Sequence, residues 1–395
     1  MSYTLGVAMI ARNGGKMMKA ALKPFVGKVD EIAVVFGGKS NDNTEYQAKK
    51  YATKTAHYDG PLGDNGELLD FADARQQSFD LCNTDWVIVV DTDDEWSDVG
   101  EVRGVIDRMP DKEKGCIIWV PYSLGEYSFH QPRIFRRESG QWESRIHEEF
   151  KVYDEWFDAT RFLSIKTNAT RVRQQSRPDE MSQDRLQQNI KIGNLALAEN
   201  PKNYRTANQL TNDYIVSQDY ENALSVTNHY LETWAADPDK KYDDDLSHLW
   251  AKRGIAQINT GDYPSAVLSE IWALGTFERG SCWTYLSEAL LKMGMSITEK
   301  LPPDGDPRAR SEAIFDLAIF ATDRALNTGR SRTGYADDVT LTTYKPLAIK
   351  AMALLGKNDP HRALKALDLG LAIKPDEPML MDLQAKVANS IGEVL

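Results

Sequence analysis

Apolar positions in the first part of the chain fall into short runs that alternate with stretches of helical spacing. Trp86 to Val90 is an unbroken apolar run, β-branched at every position after the first, and reads as a strand buried on both faces. Thr4 to Ile10 predicts a first strand, Lys16 to Phe25 a helix, and Glu31 to Phe36 a second strand closed by Gly37 and Gly38. Asn43 to Tyr51 carries a helical pattern behind Ser40, Asn41 and Asp42, each able to cap it. Lys54 to Tyr58 is a weaker third strand, and Leu68 to Leu81 a helix that leads into the Trp86 strand. This rhythm predicts an α/β domain with a largely parallel sheet. Beyond Met109, Cys116 to Val120 is a further strand, and Ser128 to Tyr153 reads as strands and turns with a tight turn at Gly140. Arg161 to Arg173 is expected to be a last strand leaving the sheet.

From about Asp179 onward the pattern is helical. The polar, proline-containing stretch Gln174 to Pro178 separates the two regimes, so the expected domains are 1–175 and 176–395. Internal similarity appears in the helical part. Tyr214 and Ala223 bracket a turn at Ser217 to Tyr220; Trp250 and Gly254 lead to Gly261, Asp262 and then Ala266. Leu347, Ala351 and Leu355 lead to Gly356 to Asp359 and then Ala363, with Pro375 closing the unit. Each reads as helix, short turn, small residue at a helix crossing, second helix, which resembles the tetratricopeptide repeat with its period of about 34 residues. A further helix pair is expected between Trp283 and Asn327, interrupted by a loop at Leu301 to Gly305. Tyr204, Asn208, Asn212, Trp250 and Arg253 fall on first helices, and Asn208, Asn212 and Arg253 are expected to face a concave groove that holds an acceptor or partner.

The Trp86 strand ends in Asp91-Thr92-Asp93-Asp94-Glu95. Carboxylates this close repel one another unless a cation or solvent relieves them. They lie where open α/β sheets bind ligands, just past the end of a buried strand. Hard oxygen donors suit Mg2+ or Mn2+, ions that take part of their coordination from water and substrate phosphates. The competing reading is a solvated acidic turn.

Composition narrows the partners. A formal net charge of -12 works against nonspecific attraction to nucleic acid or to an anionic membrane. The N-terminal apolar run is too short to span a bilayer. Cys82, Cys116 and Cys282 lie far apart with no metal-ligand spacing, so a reducing, cytoplasmic setting is expected.

A set of ordered motifs adds to this. They are Met9-Ile10-Ala11-Arg12-Asn13, Ser40-Asn41-Asp42-Asn43-Thr44, Phe71-Ala72-Asp73-Ala74-Arg75 and Asp91-Thr92-Asp93-Asp94-Glu95-Trp96. Arg133-Ile134-Phe135-Arg136-Arg137 and Trp142-Glu143-Ser144-Arg145-Ile146-His147-Glu148 follow. Together they make the first ~170 residues resemble a family 2 glycosyltransferase of the Rossmann-like GT-A fold, a domain known to carry tetratricopeptide-like companions. The resemblance implies a nucleotide-sugar donor and an Asp-x-Asp motif at Asp91 and Asp93, with His147 as third metal participant. It places Ala11, Asn13, Gly37, Asp42, Arg75, Asp91, Thr92 and Arg137 around the donor. Arg133, Arg136, Arg137 and Arg145 offer guanidinium forks, of which one or two should meet diphosphate oxygens.

Two positions depart from the family pattern: Gly37, where many relatives contact the base through an aspartate, and Gly14, where an acidic residue is usual. Uridine is therefore only the default base. Family membership implies inversion, with a carboxylate as general base. Glu148 is the first choice beside His147, with Glu149, Glu143 and Asp154 as further candidates and Asp94 a weaker one. The expected function is a metal-dependent inverting transferase that moves a sugar from a UDP-sugar to a protein or glycan acceptor. The helical tail would bind the acceptor, a partner protein or a second copy. The alternatives are a non-catalytic repeat protein with a decayed transferase domain, and a sugar-phosphate nucleotidyltransferase, of which Arg12-Asn13-Gly14-Gly15-Lys16 is a faint echo.

Overall fold

A computed structural model describes residues 3–109, 115–124, 127–153, 162–174, 179–235, 244–299, 308–328 and 338–392. The chain divides into two compact units, Met1–Pro201 and Lys202–Leu395.

The first unit is built on strands β1 (Leu5–Ala11), β2 (Glu31–Phe36), β3 (Lys54–His57) and β4 (Trp86–Val90), which lie parallel in the order β3-β2-β1-β4. Between them run α1 (Met18–Leu22), α2 (Thr44–Ala48) and α3 (Phe71–Asp80), the last capped by the Asp70 carboxylate on the Asp73 amide. Both faces of the sheet are covered, as the unbroken apolar run requires. Trp86, Ile88 and Val90 join the core that includes Met18 and Leu22 of α1 and Val102 and Ile106 of α4 (Glu101–Asp107). Val87 and Val89 point the other way, to Phe79 of α3.

Past β4 the sheet becomes mixed. β6 (Gly115–Leu124) and β7 (Tyr127–Arg136) form a long antiparallel pair, and β7 runs antiparallel to β4 with Ile88 opposite Ile134 and Trp86 opposite Arg136. The expected last strand does not leave the sheet. It forms β10 (Phe162–Lys166) and β11 (Arg171–Gln174), both parallel to β6. The acidic cluster also runs into a strand of its own, β5 (Asp94–Ser97), held antiparallel by β11. A separate two-stranded sheet, β8 (Gly140–Glu143) with β9 (Glu149–Val152), packs Trp142 and Phe150 onto Phe79 and Phe135, with ring centroids 4.8–6.5 Å apart.

Helix α5 (Asp179–Glu199) lies beyond the stretch expected to separate the domains, yet it belongs to the first unit. Gln188 Nε2 donates to Leu68 O at 2.9 Å, Lys191 Nζ reaches Glu67 at 2.6 Å, and Arg145 pairs with Glu199 through Nε and Nη2. The linker residues 175–178 themselves lie outside the described residues.

The second unit holds α6 (Tyr204–Val216), α7 (Tyr220–Ala235), α8 (Asp244–Thr260), α9 (Tyr263–Thr276), α10 (Gly280–Glu299) and α11 (Arg308–Thr328). After a 3-10 turn at Val339–Thr342 come α12 (Tyr344–Gly356), α13 (Pro360–Ile373) and α14 (Pro378–Gly392). Sequential helices pair, and the first helices α6, α8, α10 and α12 also pack on one another, the arrangement of a stacked helix-pair array. Ala223, Ala266 and Ala363 are fully buried at the crossings the repeat pattern marked. The further pair expected between Trp283 and Asn327 is α10 and α11; the loop at residues 301–305 lies outside the described residues. None of the described helices is long and apolar enough to cross a membrane.

One groove expectation is corrected. Asn208 is 1% exposed, and its backbone and side-chain oxygens both accept from Lys252 Nζ, at 2.7 and 2.6 Å. It ties α6 to α8. A buried amide is kept by the bonds it makes, and these are structural. Arg253 lies over the Trp250 ring at 5.4 Å, and Trp250 in turn stacks on Trp272.

Candidate active site

Strand order reverses around β1: β2 and β3 follow on one side, β4 on the other. Such a switch point leaves a crevice at the carboxyl ends of the strands. Here a cleft of about 810 Å3 opens, lined by Arg12 and Asn13 after β1 and by Asp91, Thr92 and Asp93 after β4. Arg75 of α3 and Ile146, His147 and Glu148 of the β8–β9 loop line it as well.

Asn13 takes a left-handed backbone, φ 51°, and its Oδ1 accepts from Asn41 N at 2.8 Å, which ties the β1 end to the β2 loop. Asp42 does not line the cleft. Its carboxylate receives Gly15 N and Thr44 N, each at 2.9 Å, and so shapes the loop. Gly38, at φ 94°, lies so close to Gly66 that a Cβ would sit 2.0 Å from Gly66 O. Gly37 is buried against Leu68 and Ile10, and Ala11 is fully buried in the core. Neither reaches the cleft.

The electrostatic centre is Asp91. Its Oδ1 accepts from Arg75 Nη2 at 3.0 Å and its Oδ2 from Arg133 Nη1 at 2.9 Å. Burial alone would raise its pKa, but the guanidinium groups of Arg75 and Arg133 override that and hold it far below the usual carboxylate range. Arg133 also faces Asp94 Oδ2 at 3.6 Å and lies 5.0 Å from the Tyr122 ring centroid. Asp94 has no exposed side-chain surface, and burial pushes it up to about 6 against the pull of Arg133. Asp93 is 1% exposed and its Oδ2 accepts from Gln174 Nε2 at 2.6 Å. Glu148 receives Arg75 Nε at 3.0 Å, so one guanidinium spans Asp91 and Glu148.

The arrangement therefore gathers Asn13, Arg75, Asp91, Thr92, Asp93, His147 and Glu148. It does not gather Glu149, which is exposed on β9, or Glu143, which pairs with Lys151. Asp154 lies outside the described residues. Arg137 is corrected too: it donates to Thr84 O and its amide to Asp85 O, at the opposite end of β4 from Asp91. Because β7 is antiparallel to β4, its earlier arginine, Arg133, meets the site and its later ones do not. The cleft also takes in Asn65 and Glu67 of the loop before α3, and Asp184, Arg185 and Lys191 of α5, none of which the sequence pattern singled out. Arg12 and Asn41 stood inside quoted motifs without a role.

Asp91, Asp93 and His147 share the cleft, but among the described residues no three His, Cys, Asp or Glu side chains are gathered closely enough to hold a metal. The oxygen donors on offer are the two carboxylates, a set that suits a hard divalent ion completed by water and phosphate.

Residues 7–172 match the family model described as Glycosyl transferase family 2. No curated protein matches the chain. Among solved structures, the MamA protein is 13% identical with a TM-score of 0.35, covering 49% of this chain and 85% of its own. PilF of Pseudomonas aeruginosa is 13% identical, TM-score 0.34, covering 52% and 76%. Glucosyl-3-phosphoglycerate synthase from Mycobacterium tuberculosis, solved with Mn2+, UDP and glucosyl-3-phosphoglycerate, is 14% identical, TM-score 0.34, covering 50% and 79%.

Proposed function

We propose that the family 2 glycosyltransferase domain over residues 7–172 is an active, metal-dependent transferase. It would move a sugar, with inversion, from a nucleotide-diphosphate sugar to a hydroxyl acceptor. UDP is the default nucleotide, and a protein or glycan the expected acceptor, with the helical unit binding acceptor or partner. The observation that carries this is the 810 Å3 cleft at the switch point, which places Asp91, Asp93 and Glu148 on one lining.

Asp91 and Asp93 would hold the Mg2+ or Mn2+, with water and the donor phosphates completing its coordination; His147, on the same cleft lining, is not gathered with them closely enough to be a third ligand. Bound there, the ion would offset the charge that builds on the departing diphosphate. The chain's own groups have separate tasks. Arg75 fixes the Glu148 carboxylate through Nε, which holds a proton acceptor at a set position on the cleft wall. Arg133, with Arg75, keeps Asp91 ionised and bonds its Oδ2. Asn13, on its left-handed turn, holds the β1 loop against Asn41 where the nucleotide would enter.

The test is Asp93→Asn in the full chain. It should abolish transfer and metal-dependent nucleotide binding while the melting temperature of the free protein holds or rises slightly, since one repelling charge is removed. Unchanged turnover would eliminate the metal role. Transfer by the wild type should release a nucleoside diphosphate; release of pyrophosphate would point to nucleotidyl transfer instead.

A further inference from the structure

Helix α9 turns its apolar residues outward. The one charged residue in Tyr263–Thr276, Glu270, is fully buried, while Leu268, Ile271 and Trp272 are 60%, 51% and 59% exposed. Pro264 and Gly275 are exposed as well, and a Cβ on Gly275 would meet nothing within 4 Å. Residues three or four apart share a helix face, so these positions form one uncharged apolar strip.

The repeat itself does not require such a strip. Counted from the crossing alanine, the positions of Leu268, Ile271 and Trp272 are filled in α7 by Ser225, Asn228 and His229, and in α13 by Lys365, Asp368 and Leu369. Those helices meet water with polar groups where α9 presents leucine and isoleucine. Trp272 is also held in place, its ring stacked on Trp250 with centroids 5.7 Å apart and planes at 20°. A fixed, exposed indole is the kind of anchor that protein interfaces bury.

Charge and area point to the occupant. The chain has a formal net charge of -12, so the repulsion between two copies is least across a surface that carries no charge of its own. In a two-fold contact, residues near the axis meet their own images; a charged patch would then face like charge, and an uncharged one does not. Leu317 and Phe320 of α11, the next second helix, are 54% and 56% exposed, and Ile314 and Ile319 of α11 pack on the same core cluster as Val267 and Leu274 of α9. Together with the strip they leave roughly 500 Å2 of apolar surface open on each copy, which matches the apolar share of a standard interface burying ~800 Å2 per partner.

We infer that α9 is the centre of a two-fold contact between two copies of this chain, with Leu268, Ile271 and Trp272 of each copy buried against the other.

The experiment is sedimentation velocity of the full chain over a range of concentrations. The wild type should dimerise with a dissociation constant of about 1 μM or tighter, as interfaces of this size do. Ile271→Glu and Leu268→Glu each bring a charge from both copies into the contact and should weaken it by at least about 100-fold, with the far-UV circular dichroism unchanged. Leu369→Glu, at an equally exposed leucine of α13, should leave the dimer intact. A wild type that stays monomeric up to about 100 μM overturns the proposal. A dimer that survives Ile271→Glu and Leu268→Glu also overturns it, because the copies then meet elsewhere. Should either variant lose helix signal, hydrogen exchange of the wild type decides. Protection of α9 peptides should rise with concentration while that of α7 peptides stays constant, and a flat α9 profile overturns the contact.

Discussion

Replacing Arg133 with Met keeps most of the side-chain volume and removes the charge that Asp91 and Asp94 share. Arg133 is 6% exposed and bonds Asp91 at 2.9 Å, with Asp94 at 3.6 Å. Breaking a buried ion pair by removing one partner costs about 3–5 kcal/mol, because the remaining charge is stranded. Two features place this case at the lower end. Asp91 keeps Arg75, and Asp94, already pushed up to about 6 against the pull of Arg133, can take up a proton for no more than about 1.4 kcal/mol near pH 7 once that pull is gone. The expected loss is thus ~3 kcal/mol at neutral pH, and smaller near pH 5, where Asp94 is protonated in both proteins. Hydrogen exchange followed by mass spectrometry reads this locally, in peptides covering β4 and β7. About 3 kcal/mol corresponds to a ~150-fold loss of protection there, with peptides of the helical unit unchanged. A loss below about fivefold at neutral pH, or one that is larger at pH 5 than at pH 8, would refute the stranded-charge reasoning.

Two further outcomes follow from other sites. Glu270 is fully buried on α9, and a Cβ on Gly254 of α8 would lie 2.3 Å from its Oε1; burial raises its pKa well above normal, partly offset by Arg279 and reinforced by Glu288. A raised acid stabilises below its unfolded pKa of about 4.3 and loses that contribution as pH rises through the folded value. The helical unit should therefore melt lower at about pH 8 than at about pH 5.5, and Glu270→Gln should flatten that slope in circular dichroism melts; an identical slope in both proteins refutes it. Gly38→Ala should cost more than ~2 kcal/mol, since it combines a left-handed φ with a collision against Gly66 O. An unchanged urea midpoint for the first unit would contradict this.

The parallel strands were legible because Trp86 to Val90 and Ile32 to Phe36 are apolar whatever lies around them. β5 was not. Asp94-Glu95-Trp96-Ser97 has one large apolar residue, and its strand character comes from pairing with Arg171 to Gln174, more than 70 residues later. The same distance hides the choice among the arginines. Nothing local tells Arg133 from Arg136 or Arg137; only the antiparallel direction of β7 against β4 does. Helix α5 shows the limit from the other side. The sequence shows only that it is helical; that Gln188 anchors it to Leu68 O, far away in the chain, is visible only in the fold. Asn208 failed for a similar reason, because the lysine that claims it lies on the next first helix.

The β8–β9 hairpin carries His147 and Glu148 on a loop of five residues, Ser144 to Glu148, with left-handed backbone at Ser144 and His147. Trp142 and Phe150 clamp its base to Phe79 and Phe135, and Phe71 N donates to Arg145 O at 2.7 Å within the loop. A surface loop left loose would have to surrender backbone freedom each time a substrate arrived, roughly 1–2 kcal/mol per residue. Here that ordering is done when the domain folds. A ligand entering the cleft meets a wall already set, so its binding free energy is not drained into organising the jaw that carries His147 and Glu148.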